Sequence, residues 1–468
     1  MEHLYKKLSE YSNTDSYPLH MPGHKRQGMF LPDDDILGKI SAIDITEIDG
    51  FDNLHEADSV IKDMQDAAAK IYGSEKTYVL INGSTGGLLS AVSAVSGLGD
   101  TLLIGRNCHK SVYNAAFLNG FNLEYIYPKI NEEYGFCEAI SEADVQDAVE
   151  RTLAKGKKIA AVVITTVTYE GMVSNTEAIG KLVHAYNIPL IADEAHGAHL
   201  GLFDGYPNNS VKYADMVIHS LHKTLPSFTQ TALIHHNSNI VSSDILERYL
   251  KIYQTSSPSY ILMASVDRCI EFLSSCEGEE FRKLLTFKSK LKNELQVLQA
   301  LKYCVYTEPC KIVISTRNTI ISGVELADIL RREYHIEVEM ASLEYIIGII
   351  TICDTEEGMQ RFINAIKEID AKIEKAEAKS SSIAESVIPQ KALSLTDAYK
   401  SEYFYKNIDD VADCISADYV ILYPPGSPII VPGEVYNKDI VTNIKRYKEM
   451  GLNVQGLEGN KVRIVKNG

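Results

Sequence analysis

The chain has 468 residues, 45% of them hydrophobic, enough for two or three domains with buried cores. A formal net charge of -17, a pI near 5.3 and the lack of any long Lys/Arg block exclude a nucleic-acid surface. The longest apolar run, Tyr345 to Cys353, is too short to span a bilayer, so no membrane-spanning helix is expected.

The start, Met1-Glu2-His3-Leu4-Tyr5-Lys6-Lys7, has no apolar leader. The eight cysteines show neither a C-x-x-C pair nor zinc-like spacing with histidine. These features lead us to expect a cytoplasmic protein with reduced thiols and no metal site. The acidic balance tilts the partner toward a small cationic molecule.

Residues 1–55 read as a poorly periodic arm, in which His20-Met21-Pro22-Gly23-His24-Lys25-Arg26 is a turn-rich surface loop. Residues 56–260 read as a large α/β domain. A helix over Asp63–Tyr72 precedes strand Thr77–Ile81, and Asn82-Gly83-Ser84-Thr85-Gly86-Gly87 then opens a helix over Thr85–Val95. Small residues, two hydroxyls and free N–H groups at a helix start suit a phosphate. An ordinary turn capped by Ser84 or Thr85 suits the segment equally. It is neither a G-x-G-x-x-G nor a Gly-Lys-Ser/Thr loop, which points to a phosphate monoester.

Strand Thr101–Ile104 ends in Arg106-Asn107-Cys108-His109-Lys110, where an imidazole can lie flat against a ring or be a hydrogen-bonded core histidine. Helix Ser111–Leu118, strand Leu123–Tyr127, helix Glu142–Ala154, strand Ile159–Thr165 and helix Thr176–Tyr186 follow. Strand Pro189–Ala192 ends in Asp193-Glu194-Ala195-His196-Gly197. A carboxylate there needs a cationic partner such as a protonated pyridine nitrogen, unless it is a helix cap or binds magnesium. Strand Met216–His219 ends in Ser220-Leu221-His222-Lys223-Thr224, where an ammonium at the mouth of a buried strand is either paired, consumed chemically or simply solvated.

Residues 261–375 read as a smaller α/β domain: a long charged helical region over Glu271–Leu301, then strand Lys311–Ser315, helix Val324–Arg332, strands Glu337–Met340 and Ile346–Cys353, and helix Glu357–Glu374. Residues 376–390 read as a linker, and 391–468 as a C-terminal α+β domain around Tyr423-Pro424-Pro425-Gly426-Ser427-Pro428.

Alternating strands and helices imply a mainly parallel sheet that binds its ligand at the carboxyl ends of the strands. Four such ends bring a phosphate cradle, an imidazole, a carboxylate and a lysine. Pyridoxal 5′-phosphate calls for this set: a lysine for its aldehyde, an acid for its ring nitrogen, donors for its phosphate and a flat neighbour.

The sequence resembles the fold-type I, pyridoxal-phosphate-dependent ornithine/lysine/arginine decarboxylases over nearly its whole length. The resemblance rests on His20–Lys25, Asp44–Glu47, Asn82–Gly87, Arg106–Ser111, Asp193–Gly197, Ser220–Gln230, Ser256–Tyr260 and Tyr423–Glu434. It implies a seven-stranded sheet of the aspartate-aminotransferase class, with Lys223 holding the cofactor as a Schiff base, Asp193 on the pyridinium nitrogen, His109 stacked on the ring and His196 close by. It also implies phosphate contacts from Ser84, Thr85, Gly86, Ser220 and His222, and a segment around Ser257 that reaches a neighbouring subunit's site in a homodimer or larger assembly.

We expect a short form, without the response-regulator-like domain of the large inducible members. Ser427 replaces a branched apolar residue, and Asp418 stands where glutamate is expected. The reaction implied is decarboxylation of a basic amino acid, with arginine ahead of lysine and ornithine, and Asp418, Glu434 and Glu339 are candidates for the distal substrate group. An aminotransferase or aldolase on the same fold and a catalytically silent member are the competing readings. An aminotransferase should show an arginine clamp for the α-carboxylate among Arg317, Arg331 and Arg332.

Overall fold

The structure is a computed structural model and describes residues 2–26, 35–376 and 388–466. Most of the expected linker, 377–387, lies outside the described residues. The chain divides into two compact units, one made of 1–95 with 189–279 and one of 96–188 with 280–468.

In the first unit four strands lie in the order Lys76–Leu80, Ala232–His236, Met216–His219, Leu190–Asp193. The last two are parallel, with Asp193 level with Ile218. Ala232–His236 returns antiparallel beside Met216–His219, because the segment after Lys223 is too short to carry a parallel crossover. Helix Gly83–Ala94 covers the sheet face bearing Leu80 and Ile218. It can do so closely because of Gly87, where an added Cβ would come 2.6 Å from Leu80 Cδ1 and 3.3 Å from Ile218 Cγ2. Helix Val60–Tyr72 covers the opposite face, resting Tyr72 on His219 and His235.

The expected arm contains a helix, Leu4–Ser12, whose Leu4 and Leu8 are buried at i, i+4 spacing. It is pinned to helix Tyr260–Ser275 by the pair His3–Asp267 at 3.1 Å and by Lys6–Glu271 at 2.9 Å. Two apolar positions give too faint a periodicity to find from sequence, and the tertiary contact supplies the rest.

The second unit carries three parallel strands in the order Ile159–Thr165, Thr101–Gly105, Asn122–Ile126. Four strands in one unit and three in the other make up the seven of the expected fold class. A separate antiparallel sheet has the order Lys302–Tyr303, Lys311–Ser315, Tyr345–Ile349, Met340–Ala341, with helices Gly323–Tyr334 and Glu356–Lys372. The expected strand Glu337–Met340 is thus shorter and later. The expected continuous helical region is two helices, Tyr260–Ser275 and Glu279–Leu295, parted at Gly278, whose φ of +81° leaves the helical region.

Near the C-terminus a three-stranded antiparallel sheet, Pro428–Ile430, Val420–Leu422 and Val454–Gln455, lies beside the pair Tyr403–Asn407 and Lys461–Val465. Their shared core includes Ile408, Val420, Ile430, Tyr436, Ile444 and Ile464. None of the eight cysteines is in a disulfide. No described helix is long and apolar enough to cross a membrane.

Candidate active site

Asp193 is the last residue of its strand and is 4% exposed. Its Oδ1 accepts the Ala195 N–H at 3.3 Å, and it makes no ion pair among the described residues. Burial pushes its carboxyl above the ordinary range, against the pull of the Lys223 charge.

On the neighbouring strand, Met216–His219 passes through Ser220 into the one-turn helix Leu221–Thr224. This turn sets Lys223 Nζ 2.9 Å from His196 Nε2, at the strand end that also bears Asp193. Lys223 donates there, which leaves the His196 ring proton on Nδ1.

The start of helix Gly83–Ala94 is open. Its N-cap, Asn82, makes no side-chain capping bond, so neither Ser84 nor Thr85 is the cap that an ordinary turn would use. The backbone N–H groups of Ser84 and Thr85 make no hydrogen bond among the described residues. Ser84 Oγ lies 2.5 Å from Ser220 Oγ, which ties this turn to the lysine turn. Gly83 N–H donates to Gln230 O at 3.0 Å, and Gln230 Nε2 donates to Ile81 O at 2.6 Å.

His222 Nδ1 donates to Thr231 O at 3.0 Å, and burial lowers its affinity for a second proton. Orphan N–H groups, the positive end of a helix dipole and two hydroxyls lie together here, a set of donors that suits a small dianion. Thr85 is exposed and Gly86 buried on this turn. Ser257 is exposed in the segment before helix Tyr260–Ser275.

In the second unit, His109 caps helix Lys110–Asn119, its Nδ1 accepting the Ser111 N–H at 3.2 Å. Gly426 lies against the ring. An added Cβ there would come 3.0 Å from His109 Cδ2, and φ at this glycine is +93°. The surrounding stretch is stitched to the same loop, Ser427 Oγ donating to Asn107 O at 3.0 Å and Lys110 N–H to Gly426 O at 3.1 Å. A branched apolar side chain could not make the Ser427 contact.

Glu434 is 2% exposed and paired with Arg106 at 3.0 Å. Burial raises the Glu434 carboxyl and Arg106 opposes that rise. Asp418 meets the half-exposed Arg463 at 3.0 Å, and the exposed Glu339 accepts from Tyr169 Oη.

Two roles were left unassigned by the motifs. Gln230, at φ +83°, binds the phosphate-type turn to the lysine loop. His219, His235, Thr77 and Ser210 surround Glu194. The signal for the second group was present in the histidines that end or interrupt the apolar strands Met216–His219 and Ala232–His236.

Lysine and acid at adjacent parallel strand ends, facing an uncapped helix start, make this a fold-type I enzyme, and solved structures share its fold. The lysine decarboxylase of Francisella novicida matches with a TM-score of 0.82 at 18% identity, covering 99% of this chain and 81% of that one. The constitutive lysine decarboxylase of Escherichia coli matches with a TM-score of 0.80 at 17% identity, covering 99% and 82%.

The chain belongs to the Orn/Lys/Arg decarboxylase family: the family's major domain matches residues 2–305 and its C-terminal domain residues 355–460. An arginine decarboxylase of Bacillus anthracis is 33% identical over 97% of this chain and 94% of that protein. One from Bacillus subtilis (strain 168) is 28% identical over 99% and 97%. The protein is an amino-acid carboxy-lyase.

Proposed function

We propose that the chain is a pyridoxal 5′-phosphate-dependent arginine decarboxylase, with lysine and ornithine as slower substrates. The observation that carries this reading is Lys223 Nζ at 2.9 Å from His196 Nε2, at the same strand end as the buried carboxyl of Asp193, which makes no ion pair among the described residues. The donor set fits the cofactor: an amine for its aldehyde, a buried acid for its ring nitrogen, and an open helix start for its phosphate.

Lys223 is the amine that would hold the cofactor's aldehyde. Asp193 would accept a hydrogen bond from the ring N–H, and a positive ring would offset the burial of its carboxylate. Ser84, Ser220, His222 and the first-turn groups of Thr85 and Gly86 bind the phosphate. His109, fixed by its cap to Ser111, covers the ring face. His196, oriented by Lys223, keeps an unprotonated nitrogen beside the reactive amine. Bound there, the cofactor supplies the electron sink for the pair left on Cα when CO₂ departs.

For the distal cationic group we favour Asp418 over Glu434, since its half-exposed pair with Arg463 opens at little cost. Glu434 would have to abandon a buried partner. We further propose a cytoplasmic homodimer feeding di- or polyamine formation, with Ser257 offered to the neighbouring subunit. Its domains are the arm 1–55, a cofactor domain 56–260, a small domain 261–375, a linker 376–390 and a C-terminal domain 391–468.

The aminotransferase reading is weakened by its missing clamp. Arg317 is engaged by Glu344 at 2.7 Å in the interior, and Arg331 and Arg332 are exposed and paired with Glu337 and Asp328. The test is CO₂ release from arginine, lysine and ornithine by protein reconstituted with pyridoxal 5′-phosphate, with arginine expected fastest. Amine transfer to a keto acid without CO₂ release would overturn the assignment.

A further inference from the structure

On the sheet face opposite Asp193, four polar side chains cross four adjacent strands. Successive strand residues point to opposite faces, so Glu194, one step past Asp193, falls with His219, His235 and Thr77. Glu194 Oε2 is 2.7 Å from His219 Nε2, His219 Nδ1 is 3.0 Å from His235 Nε2, and His235 Nδ1 is 2.7 Å from Thr77 Oγ1. Thr77 Oγ1 is in turn 2.8 Å from Ser74 Oγ. Glu194 Oε1 also accepts from Ser210 Oγ at 2.7 Å. Glu194 and His219 are 0% exposed, His235 1% and Thr77 3%.

With both imidazole rings uncharged, only one set of tautomers closes this chain. A carboxylate can only accept, so His219 donates from Nε2, and its uncharged ring accepts at Nδ1. His235 therefore also donates from Nε2, and its Nδ1 accepts the Thr77 hydroxyl. Every donor points toward Glu194, and each polarises the next. The same face carries Val217 and Ala192, and apolar residues of similar volume would serve stability as well as a buried polar chain. The arrangement makes sense as a device for holding charge in one place.

We infer that Thr77, His235 and His219 lock a negative charge on Glu194 one residue from Asp193, and so act as positioning residues that strengthen the hold of Asp193 on the cofactor's ring proton. This rests on the cofactor reading above. Burial is the first cause of the high proton affinity of Asp193, Lys223 opposes it and Glu194 adds to it. The other titratable groups facing the chain are Tyr72 from helix Val60–Tyr72 and, behind it, Cys269 from helix Tyr260–Ser275. Burial holds Tyr72 protonated far above neutral pH.

The test compares Glu194→Gln, which keeps shape without charge, with His219→Leu and with His219→Gln, which restores one donor and one acceptor. In the holoenzyme the pH midpoint of the cofactor's visible absorption change should move about one unit lower in Glu194→Gln and His219→Leu, a tenfold loss of proton affinity. In His219→Gln it should return to within about threefold of wild type, and kcat should follow the same order at unchanged KM. Thr77→Val, which removes only the last donor, provides a smaller shift in the same direction if a deeper variant does not fold. Histidine-labelled nitrogen resonance on the cofactor-free chain should find the proton of both His219 and His235 on Nε2.

The opposite tautomer in either ring, or an unmoved midpoint with a lowered melting temperature, would overturn the inference. A wild-type chain that takes up no pyridoxal 5′-phosphate would instead overturn the functional reading, and the tautomer measurement would still decide the chain.

Discussion

Lys223 and His196 lie 27 residues apart in sequence, yet their side-chain nitrogens stand 2.9 Å from each other. Their strands are parallel neighbours, so both chains leave the sheet at the same edge. The lysine is thereby held next to a nitrogen that accepts a hydrogen bond from it, at the strand end that also bears Asp193.

Lys223→Ala should retain the fold and lower decarboxylation by about a thousandfold or more, the scale of removing a covalent nucleophile. Borohydride followed by intact-mass measurement should add the cofactor to the wild-type chain and leave the variant unchanged. Labelling at another lysine would relocate the site.

Asp193 gives a prediction of opposite sign for stability and for turnover. Its carboxyl is raised by burial above 3.8. Without cofactor the native state therefore holds a proton that the unfolded chain gives up, and this contribution is full below 3.8 and lost as pH rises through the raised value. Cofactor-free Asp193→Asn should melt higher than wild type at neutral pH, and the gap should close in acid. With cofactor, the same variant should turn over about ten- to a hundredfold more slowly, the worth of one charge-assisted hydrogen bond of roughly 1.5–3 kcal/mol.

Ser220 bridges the two turns through Ser84 at 2.5 Å. Ser220→Ala should weaken cofactor binding by about tenfold, in line with one lost hydrogen bond to a charged phosphate. Fluorescence titration with pyridoxal 5′-phosphate measures this, and pyridoxal without its phosphate should show little difference between variant and wild type. An equal loss for both ligands would place Ser220 away from the phosphate.

The pair Arg106–Glu434 joins positions 328 residues apart in the second unit, with side chains 11% and 2% exposed. Glu434→Gln should cost about 3 kcal/mol in urea denaturation, because it strands a buried guanidinium. Replacing both residues with methionine should recover most of that loss. An arginine KM raised by Glu434→Gln at unchanged stability would instead return Glu434 to the substrate pocket.

Local chemistry was legible in the residues themselves. Alternating apolar runs and helical periods set strands such as Ile159–Thr165 and helices such as Glu142–Ala154, and a lysine, an acid and a small-residue turn marked the strand ends. Those features depend on near neighbours in the chain, which sequence carries directly.

Tertiary structure alone decided what depends on register and on distant partners. It turned Ala232–His236 antiparallel, ordered Leu4–Ser12 against Asp267, and gave Glu434 to Arg106. It also lined up Glu194, His219, His235 and Thr77 across four strands. A one-residue slip in any of those strands would turn its side chain to the other face, so no single segment of sequence could have disclosed the row.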